Sequence, residues 1–294
     1  MGYGSYSYEA HKAITKGRKG KSAQAVFTGS KVDPRMDPKG VKFRESRDSD
    51  DNPSSLGIVF ALDISGSMSN IPVQIATEQL PGFMKLLTDC DVPDPQVLFM
   101  ALTDVSGDGR PLQVGQFETT AELMDQWLTR CALRGGGNEL YELALHFVAR
   151  HTAMDCWEQR KKKGYLFMTG DEPSNTTLEA DLAKQWLGTD IQDMPLTGVV
   201  DELKKTFHPF FVIPDQRRGR NVAGFWREYL GDYVVVLENP VDTCAASAAL
   251  VALGEGKVGL GDLEAKLVAA ETPKDRAQAV VKAVTPWAEA HAQS

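Results

Sequence analysis

The apolar residues between about positions 56 and 240 form short continuous runs that alternate with amphipathic stretches. The first run, residues 57–62, is apolar throughout, which is typical of a strand buried on both faces of a parallel sheet. We predict further strands over residues 96–105, 112–117, 164–168, 207–213 and 233–237. The helical patterns lie at about residues 73–90, 121–133, 139–151, 178–187 and 222–230.

This alternation predicts an α/β fold: a doubly wound, mostly parallel, Rossmann-like central sheet with helices on both faces. One strand is expected to depart from the parallel arrangement. Residues 106–109 read Ser-Gly-Asp-Gly, a turn-forming sequence between two predicted strands. Because so short a connection reverses the chain, we predict that residues 112–117 form an antiparallel edge strand.

The two ends of the chain have a different pattern. Residues 1–55 are rich in Gly, Ser, Lys and Asp and have no sustained helical or strand period, which predicts a polar, basic and loosely ordered arm. Residues 241–294 contain Ala-, Leu- and Val-rich segments that predict a C-terminal extension of two or three helices. We therefore divide the chain into an arm (1–55), an α/β domain (56–240) and a helical extension (241–294).

Composition narrows the class of protein. With 294 residues, 42% of them hydrophobic and 24% charged, the chain can bury a core of its own. It contains neither an apolar run of roughly 20 residues nor a secretory signal, so we expect a cytoplasmic protein without a membrane span. The net charge of -8 disfavours nucleic-acid binding by the whole chain. The four cysteines are widely spaced and give no zinc or redox motif, so we expect free buried thiols.

Two acidic loops follow predicted strands. Asp63, Ser65 and Ser67 come directly after the first strand, and Asp171 follows the strand at 164–168. Ligands of open parallel sheets gather at the carboxyl ends of the strands, where the strand order reverses, so these loops are expected to meet there. Alternate residues of a turn can point the same way, and Gly66 lets the backbone curl around a small ion.

The donor types indicate which ion would bind. Carboxylate and hydroxyl oxygens are hard ligands that suit Mg²⁺, or Mn²⁺ or Ca²⁺ as alternatives, and the set offers no thiolate or imidazole for zinc. Such a small set leaves a coordination position for water or for a carboxylate of a partner. The sequence therefore predicts a magnesium centre that can take up an incoming oxygen ligand.

The pattern Asp63-x-Ser65-x-Ser67 after a buried strand resembles the metal-ion-dependent adhesion site (MIDAS) of von Willebrand factor A (vWA) domains, over about residues 56–240. In that family the serines bind the ion, the aspartates bind it directly or through water, and Asp171 is similar to the later aspartate. The family's middle loop often supplies a Thr, whereas this chain has Gly135-Gly-Gly followed by Asn138 and Glu139. The resemblance implies that Asn138, Glu139 or a water takes that role.

The resemblance implies a non-enzymatic protein-interaction module of the bacterial intracellular type, whose cation binds an acidic residue of a partner. The partners it implies are MoxR-type AAA+ ATPases or kinase and phosphatase systems, for which the chain would be an adaptor. The alternative is a Mg²⁺-dependent phosphate-ester hydrolase, but the phosphatases that begin from such an Asp need a second carboxylate two residues later, where Ser65 stands. A third hypothesis is a scaffold whose basic arm contacts nucleic acid or an acidic protein.

One further pair of residues has a spacing that could suit a metal. Glu142 and His146 are four residues apart on the predicted helix 139–151 and so share a face. Carboxylate-bridged diiron bundles use a spacing of three and need several helices. We therefore predict a surface pair or an internally satisfied pair rather than a second metal site.

Overall fold

The computed structural model of the chain describes residues 4–29, 31–68, 70–103, 110–133 and 139–291. Its strands are β1 (Arg44–Ser46), β2 (Leu56–Asp63), β3 (Pro95–Leu102), β4 (Leu112–Val114), β5 (Thr152–Met154), β6 (Gly164–Thr169), β7 (Thr177–Leu178), β8 (Met194–Pro195), β9 (Phe207–Ile213) and β10 (Val234–Val236).

The helices alternate with these strands through the middle of the chain and continue alone at its end. They are α1 (Tyr8–Lys16), α2 (Ala23–Val26), α3 (Asn70–Gln74), α4 (Leu80–Asp89), α5 (Ala121–Arg130), α6 (Tyr141–Arg150), α7 (Asp155–Glu158), α8 (Ala180–Leu187), α9 (Leu196–Thr206), α10 (Gln216–Leu230), α11 (Thr243–Gly254), α12 (Leu260–Ala269) and α13 (Lys274–His291). A π-helical turn over Ile75–Gln79 joins α3 to α4.

The central sheet has six strands in the order β10-β9-β6-β2-β3-β4. All neighbours are parallel except β3 and β4, which form the antiparallel edge pair that the turn sequence predicts. The chain passes from β2 to β3 on one side and later returns to place β6 on the other side, so the strand order reverses at β2. The predicted fold class, α/β with a doubly wound and mostly parallel sheet, is confirmed, and the loops after β2 and β6 leave neighbouring strands at the switch point.

One face of the sheet carries a row of aromatic rings. Neighbouring rings of the row lie 5.3 to 5.7 Å apart between centroids, and the row consists of Phe99, Phe60, Phe167 and Phe210. Phe83 of α4 packs 5.1 Å from Phe60, and Trp287 of α13 packs 5.1 Å from Phe210. Helix α11 packs against both α4 and α13. The helices predicted as a C-terminal extension therefore cover one face of the sheet and bury its aromatic row.

The opposite face packs against α6 and α10. Phe211 of β9 stacks on Trp226 of α10 at 4.0 Å between ring centroids, and Tyr141 of α6 lies 5.7 Å from both rings. All three side chains are fully buried, and burying each large side chain contributes roughly 1.5–3 kcal/mol to folding. This packing places the first residue of α6 beneath the carboxyl ends of β6 and β9.

The structure differs from the predicted loosely ordered arm, because residues 1–55 contain the helices α1 and α2 and the strand β1. Helix α1 is capped by Ser7, whose hydroxyl accepts the amide N–H of Ala10 at 3.2 Å, and β1 pairs in parallel with β5. The helix spans little more than two turns, too short to give a clear period. The strand pairing joins Arg44 to Thr152, which are far apart in the sequence, so no local sequence pattern predicts it. The division of the chain into arm, α/β domain and extension stays a prediction.

Two helices also differ from their predicted ranges. Helix α9 lies at Leu196–Thr206, where no helix was predicted, and α10 begins at Gln216 rather than at residue 222. Within the described part of the chain no helix is long and apolar enough to cross a membrane. The four cysteines are free and buried, as predicted.

Candidate metal centre

Asp63, the last residue of β2, is fully buried, and both of its carboxylate oxygens accept hydrogen bonds. The backbone N–H of Ser65 donates to Oδ1 at 2.8 Å, and the phenol of Tyr141 donates to Oδ2 at 2.5 Å. The first bond curls the chain sharply after the strand. The second ties the start of α6 to the end of β2, so that the direction of the Asp63 carboxylate is fixed from two sides.

The other predicted donors lie beside this turn. The hydroxyl oxygens of Ser65 and Ser67 are 3.4 Å apart, and the Ser67 hydroxyl donates to Oδ1 of Asp171 at 3.0 Å. Neighbouring ligands of an octahedral ion with metal–oxygen bonds of 2.1 to 2.4 Å lie about 3.0 to 3.4 Å apart. Both of these oxygen–oxygen distances therefore match the spacing that adjacent ligands of Mg²⁺ or Ca²⁺ require.

Asp171 also contacts a cation of the protein itself. Its Oδ2 accepts the Nε–H of Arg218 at 2.9 Å, while its Oδ1 faces Ser67. The same guanidinium donates to the backbone carbonyl oxygen of Ser67 at 2.6 Å and forms an ion pair with Asp215. Arg218 thus links the loop after β2 to the loops that follow β6 and β9.

Burial and neighbouring charges raise the pKa values of two groups at the centre. Burial raises the pKa of the Asp63 carboxyl above its usual value, and the neighbouring carboxylate of Asp171 raises it further, against the lowering effect of the hydrogen bonds from Ser65 and Tyr141. Burial followed by the charge of Asp63 raises the pKa of the Tyr141 phenol well above its ordinary value. Tyr141 is therefore a neutral donor at any physiological pH.

The middle loop is only partly described. Asn138 lies outside the described residues, so its predicted contact with the ion stays a prediction. Glu139 is buried, its carbonyl oxygen accepts the N–H of Tyr141 at 3.0 Å, and its carboxylate adds to the raised pKa of Tyr141. That places Glu139 on the Asp63 side of α6, whereas its role as a ligand remains a prediction.

The donor set fits a hard cation that retains part of its water. Within the described ranges, no three His, Cys, Asp or Glu side chains form a cluster that could hold a metal ion. Among the described residues, the donors that the hydrogen bonds bring to the candidate centre are the carboxylates of Asp63 and Asp171 and the hydroxyls of Ser65 and Ser67. Mg²⁺ usually keeps several waters and needs one or two carboxylates from the protein, so a set of this size suits Mg²⁺ better than an ion that demands a full protein cage.

Sequence reasoning missed two side chains of the centre, Tyr141 and Arg218. Tyr141 follows the Gly-rich loop as the first residue of a helix, a position that carries no recognisable metal signal. Arg218 had a usable signal: Asp215 is a good N-cap, and its carboxylate accepts the N–H of Arg218 at 3.0 Å. A helix starting after that cap would have placed Arg218 in the first turn, at the carboxyl edge of the sheet.

Glu142 and His146 are both buried, so the predicted surface pair is wrong, and the two side chains do not satisfy each other. Glu142 accepts hydrogen bonds at 2.9 Å from the Ser174 hydroxyl and from the Asn175 amide, in the loop that begins with Asp171. Neither ring nitrogen of His146 has a hydrogen-bond partner among the described residues. Glu142 therefore helps to hold the Asp171 loop against α6.

The strand order, the switch point and these donors define an α/β protein with a candidate divalent-metal centre at the carboxyl edge of its central strands. No protein-family model matches the chain, and no curated protein matches it. Solved structures with a similar fold do exist, at low sequence identity.

Three of these structures are similar to the chain over about 70% of its length. Proximal thread matrix protein 1 of the mussel byssus has 14% identity and a TM-score of 0.44, covering 72% of this chain and 49% of that one. The pilus adhesin SpaC of Lactobacillus rhamnosus GG, in its open conformation, has 14% identity and a TM-score of 0.46, covering 71% and 31%. A von Willebrand factor type A structure from Catenulispora acidiphila has 15% identity and a TM-score of 0.42, covering 69% and 43%.

A further structure of the mussel protein has zinc in its MIDAS motif. This chain spans less than half of the length of each of these matched chains. Similarity at this level concerns the fold alone, so the function of the candidate centre has to be judged from its own residues.

Proposed function

We propose that this chain is a divalent-metal-dependent protein-interaction module, in which a cation at the candidate centre binds a carboxylate of a partner protein. One observation carries the proposal. The hydroxyl oxygen of Ser67 lies 3.4 Å from that of Ser65 and 3.0 Å from a carboxylate oxygen of Asp171, at the switch point of a parallel sheet and beside the buried Asp63. This is the arrangement that the resemblance to vWA domains implies.

The residues of the candidate centre would have different roles in binding the ion. Ser65, Ser67 and Asp171 would supply the ligand oxygens, and Asp63 would act directly or through water while Tyr141 keeps its carboxylate in place. When bound, the cation supplies positive charge and open coordination positions that attract an incoming carboxylate. Mg²⁺ is the first choice for this donor set, and Mn²⁺ and Ca²⁺ are the alternatives.

The position of the centre favours a macromolecular partner. Gly66 and Ser67 are exposed at the tip of the loop, so the outer side of the centre faces solvent at the surface of the protein. A partner protein can therefore present an Asp or Glu side chain without entering a deep cleft. The resemblance makes MoxR-type AAA+ ATPases and kinase or phosphatase systems the first partners to test.

Hydrolysis of phosphate esters is the less well supported hypothesis for the function of the same residues. A nucleophilic aspartate must expose a carboxylate oxygen to its substrate, whereas Asp63 is fully buried and both of its oxygens accept hydrogen bonds. Ser65 stands where that class of enzyme needs its second carboxylate. The observed geometry thus favours binding over turnover.

Isothermal titration of the full chain with Mg²⁺ tests the proposal. We expect binding by the unmodified protein, a rise in its melting temperature with added Mg²⁺, and affinity at least about tenfold weaker in Ser67→Ala and in Asp171→Asn. Asp201→Asn, which changes an exposed carboxylate on α9, is the matched control and should bind like the unmodified protein. Unchanged affinity in both site variants would refute the assignment.

Partner capture is tested separately. A pull-down with candidate partners should be lost in EDTA, restored by Mg²⁺ and lost again with Ser67→Ala. Turnover of p-nitrophenyl phosphate that disappears in Asp63→Asn would instead favour the hydrolase.

A further inference from the structure

Arg218 is placed where a helix would not ordinarily put a positive charge. It lies in the first turn of α10, close to the end where the helix dipole is already positive, so the dipole by itself disfavours a cation there. Its neighbour Arg217 occupies the same turn but is exposed and has no ion-pair partner among the described residues. The ion pair of Arg218 with Asp215 and its contacts with the candidate centre offset this unfavourable interaction.

Those contacts reach three loops at once. The guanidinium donates to Oδ2 of Asp171 at 2.9 Å and to the carbonyl oxygen of Ser67 at 2.6 Å, and it pairs with Asp215. The side chains of Arg218 and Asp171 are only 19% and 10% exposed, so water screens their interaction less than it screens a surface pair. Because an arginine does not lose its proton at ordinary pH, this positive charge is permanent.

The Asp171 carboxylate is shared between two directions. One oxygen faces the Arg218 guanidinium, and the other faces the Ser67 hydroxyl, one of the proposed metal ligands. A divalent ion at that second oxygen would meet a carboxylate whose charge is already partly neutralised, with a fixed positive charge behind it. Arg218 and the metal therefore draw on the same negative charge.

We propose that Arg218 is a built-in counter-cation of the candidate centre, which holds the ligand loops together before metal binds and lowers the affinity of the centre for the metal. This inference rests on the proposed function, since it concerns the regulation of the same site. It makes the centre responsive to the metal concentration rather than permanently loaded. A salt bridge with a purely structural role would hold the loops too, but its loss would not tighten metal binding.

The test is Arg218→Gln in the full chain, with Mg²⁺ alone as the probe. We expect the melting temperature in EDTA to fall, because three loops lose their common partner. We also expect the dissociation constant for Mg²⁺ to decrease at least about tenfold, with a larger rise in melting temperature on adding Mg²⁺, because Asp171 loses its competing charge. A decrease in stability together with an increase in affinity is the signature of the counter-cation.

Two further variants separate charge from position. Arg218→Lys keeps the charge but lacks the forked guanidinium, so it should lower the melting temperature in EDTA and keep the Mg²⁺ affinity within about threefold of the unmodified protein. If Arg218→Gln does not fold, Arg218→Lys is the test variant. A Mg²⁺ affinity of Arg218→Lys tenfold weaker than that of the unmodified protein would then overturn the inference. Arg217→Gln is the matched control and should change neither quantity.

The outcomes distinguish this inference from the proposed function. If the unmodified protein binds Mg²⁺ and Arg218→Gln binds it equally or more weakly, the counter-cation role is refuted and the metal centre stands. If Mg²⁺ binds only after Arg218 is replaced, the inference is supported in its strongest form. If neither protein binds a divalent cation, both are refuted.

Discussion

At the residue scale, the environment of the Asp63 carboxylate determines its charge and its orientation. It is fully buried, which by itself disfavours its charged form, and it accepts hydrogen bonds from Ser65 and Tyr141 that favour that form. The neutral Tyr141 phenol can only donate in this direction. These two hydrogen bonds thus offset part of the free-energy cost of burying the carboxylate, and they hold the side chain in one orientation.

Tyr141→Phe tests this contact. Removing the phenol hydroxyl leaves the buried oxygen of Asp63 without one of its donors, and we expect a loss of about 1–3 kcal/mol in the free energy of unfolding. Urea unfolding monitored by circular dichroism measures it. Tyr229→Phe, at a half-buried position on α10, is the control and should cost much less. An equal loss of unfolding free energy in the two variants would show that the hydrogen bond to Asp63 does not contribute specifically to stability.

The sequence identified the residues of this centre only in part. The proximity of Ser65, Ser67 and Asp171 beside Asp63 could be predicted because the spacing of these residues after buried strands is a local pattern, whereas their role as ligands stays a prediction. Tyr141 and Arg218 could not be read in the same way, because their importance arises from contacts across 78 and 47 positions of the chain. The structural contribution of these two residues appears only when α6 and α10 are packed against the sheet.

At the scale of elements, the centre depends on how closely α6 approaches the end of β6. Gly170, between β6 and Asp171, leaves room for the Tyr141 ring. A Cβ atom there would lie 2.6 Å from the Tyr141 hydroxyl oxygen and 2.8 Å from the ring carbon Cζ of Phe211. The absence of a side chain at this position is what lets the phenol reach Asp63.

Gly170→Ala should therefore destabilise the fold by roughly 1–3 kcal/mol and weaken Mg²⁺ binding, because Tyr141 and Phe211 must shift. Denaturant unfolding and calorimetry measure the two effects. The paired control is Gly224→Ala on α10, where an added Cβ has no neighbour within 4 Å. Since alanine is the better helix former, this control should be neutral or stabilising by up to about 1 kcal/mol. A neutral Gly170→Ala would contradict the close approach of α6.

The elements also differ in how far the sequence predicts them. β2 and β9 agree with their predicted ranges because a continuous apolar run bounded by polar residues is a strong local signal. The β1 and β5 pair is missed because two three-residue strands carry no period, and their pairing is fixed by packing. The start of α10 is missed because the polar run after Asp215 hides a helix whose first turn serves the centre rather than the core.

At the scale of the whole molecule, two buried histidines and the partly buried His208 couple folding to pH. Burial lowers the pKa of His11, His146 and His208 to about 4, with nearby positive groups adding to the effect. Each stays neutral in the folded protein and takes up a proton near pH 6.5 in the unfolded chain. Between about pH 6.5 and 4 the unfolded state therefore binds more protons, and stability falls as the pH falls.

We expect each histidine to contribute about 1 kcal/mol per pH unit to this loss in the middle of that range. Urea unfolding at a series of pH values from 7 to 5 gives the slope. His146→Leu should reduce the slope by about one third of the histidine contribution, because it removes one of the three histidines. The substitution breaks no hydrogen bond of the ring, since neither ring nitrogen of His146 has a hydrogen-bond partner among the described residues. A slope identical to that of the unmodified protein would refute the assignment of a neutral buried His146.

The central claim, a hard cation held by Ser65, Ser67 and Asp171 beside Asp63, is tested most directly by crystals of the full chain grown with Mn²⁺. Manganese gives an anomalous diffraction signal at the position of the ion itself. We predict a peak within about 2.6 Å of both serine hydroxyl oxygens, in contact with at least one of the two carboxylates directly or through water. An ordered loop with no peak there, or a peak only at other residues, would contradict the account.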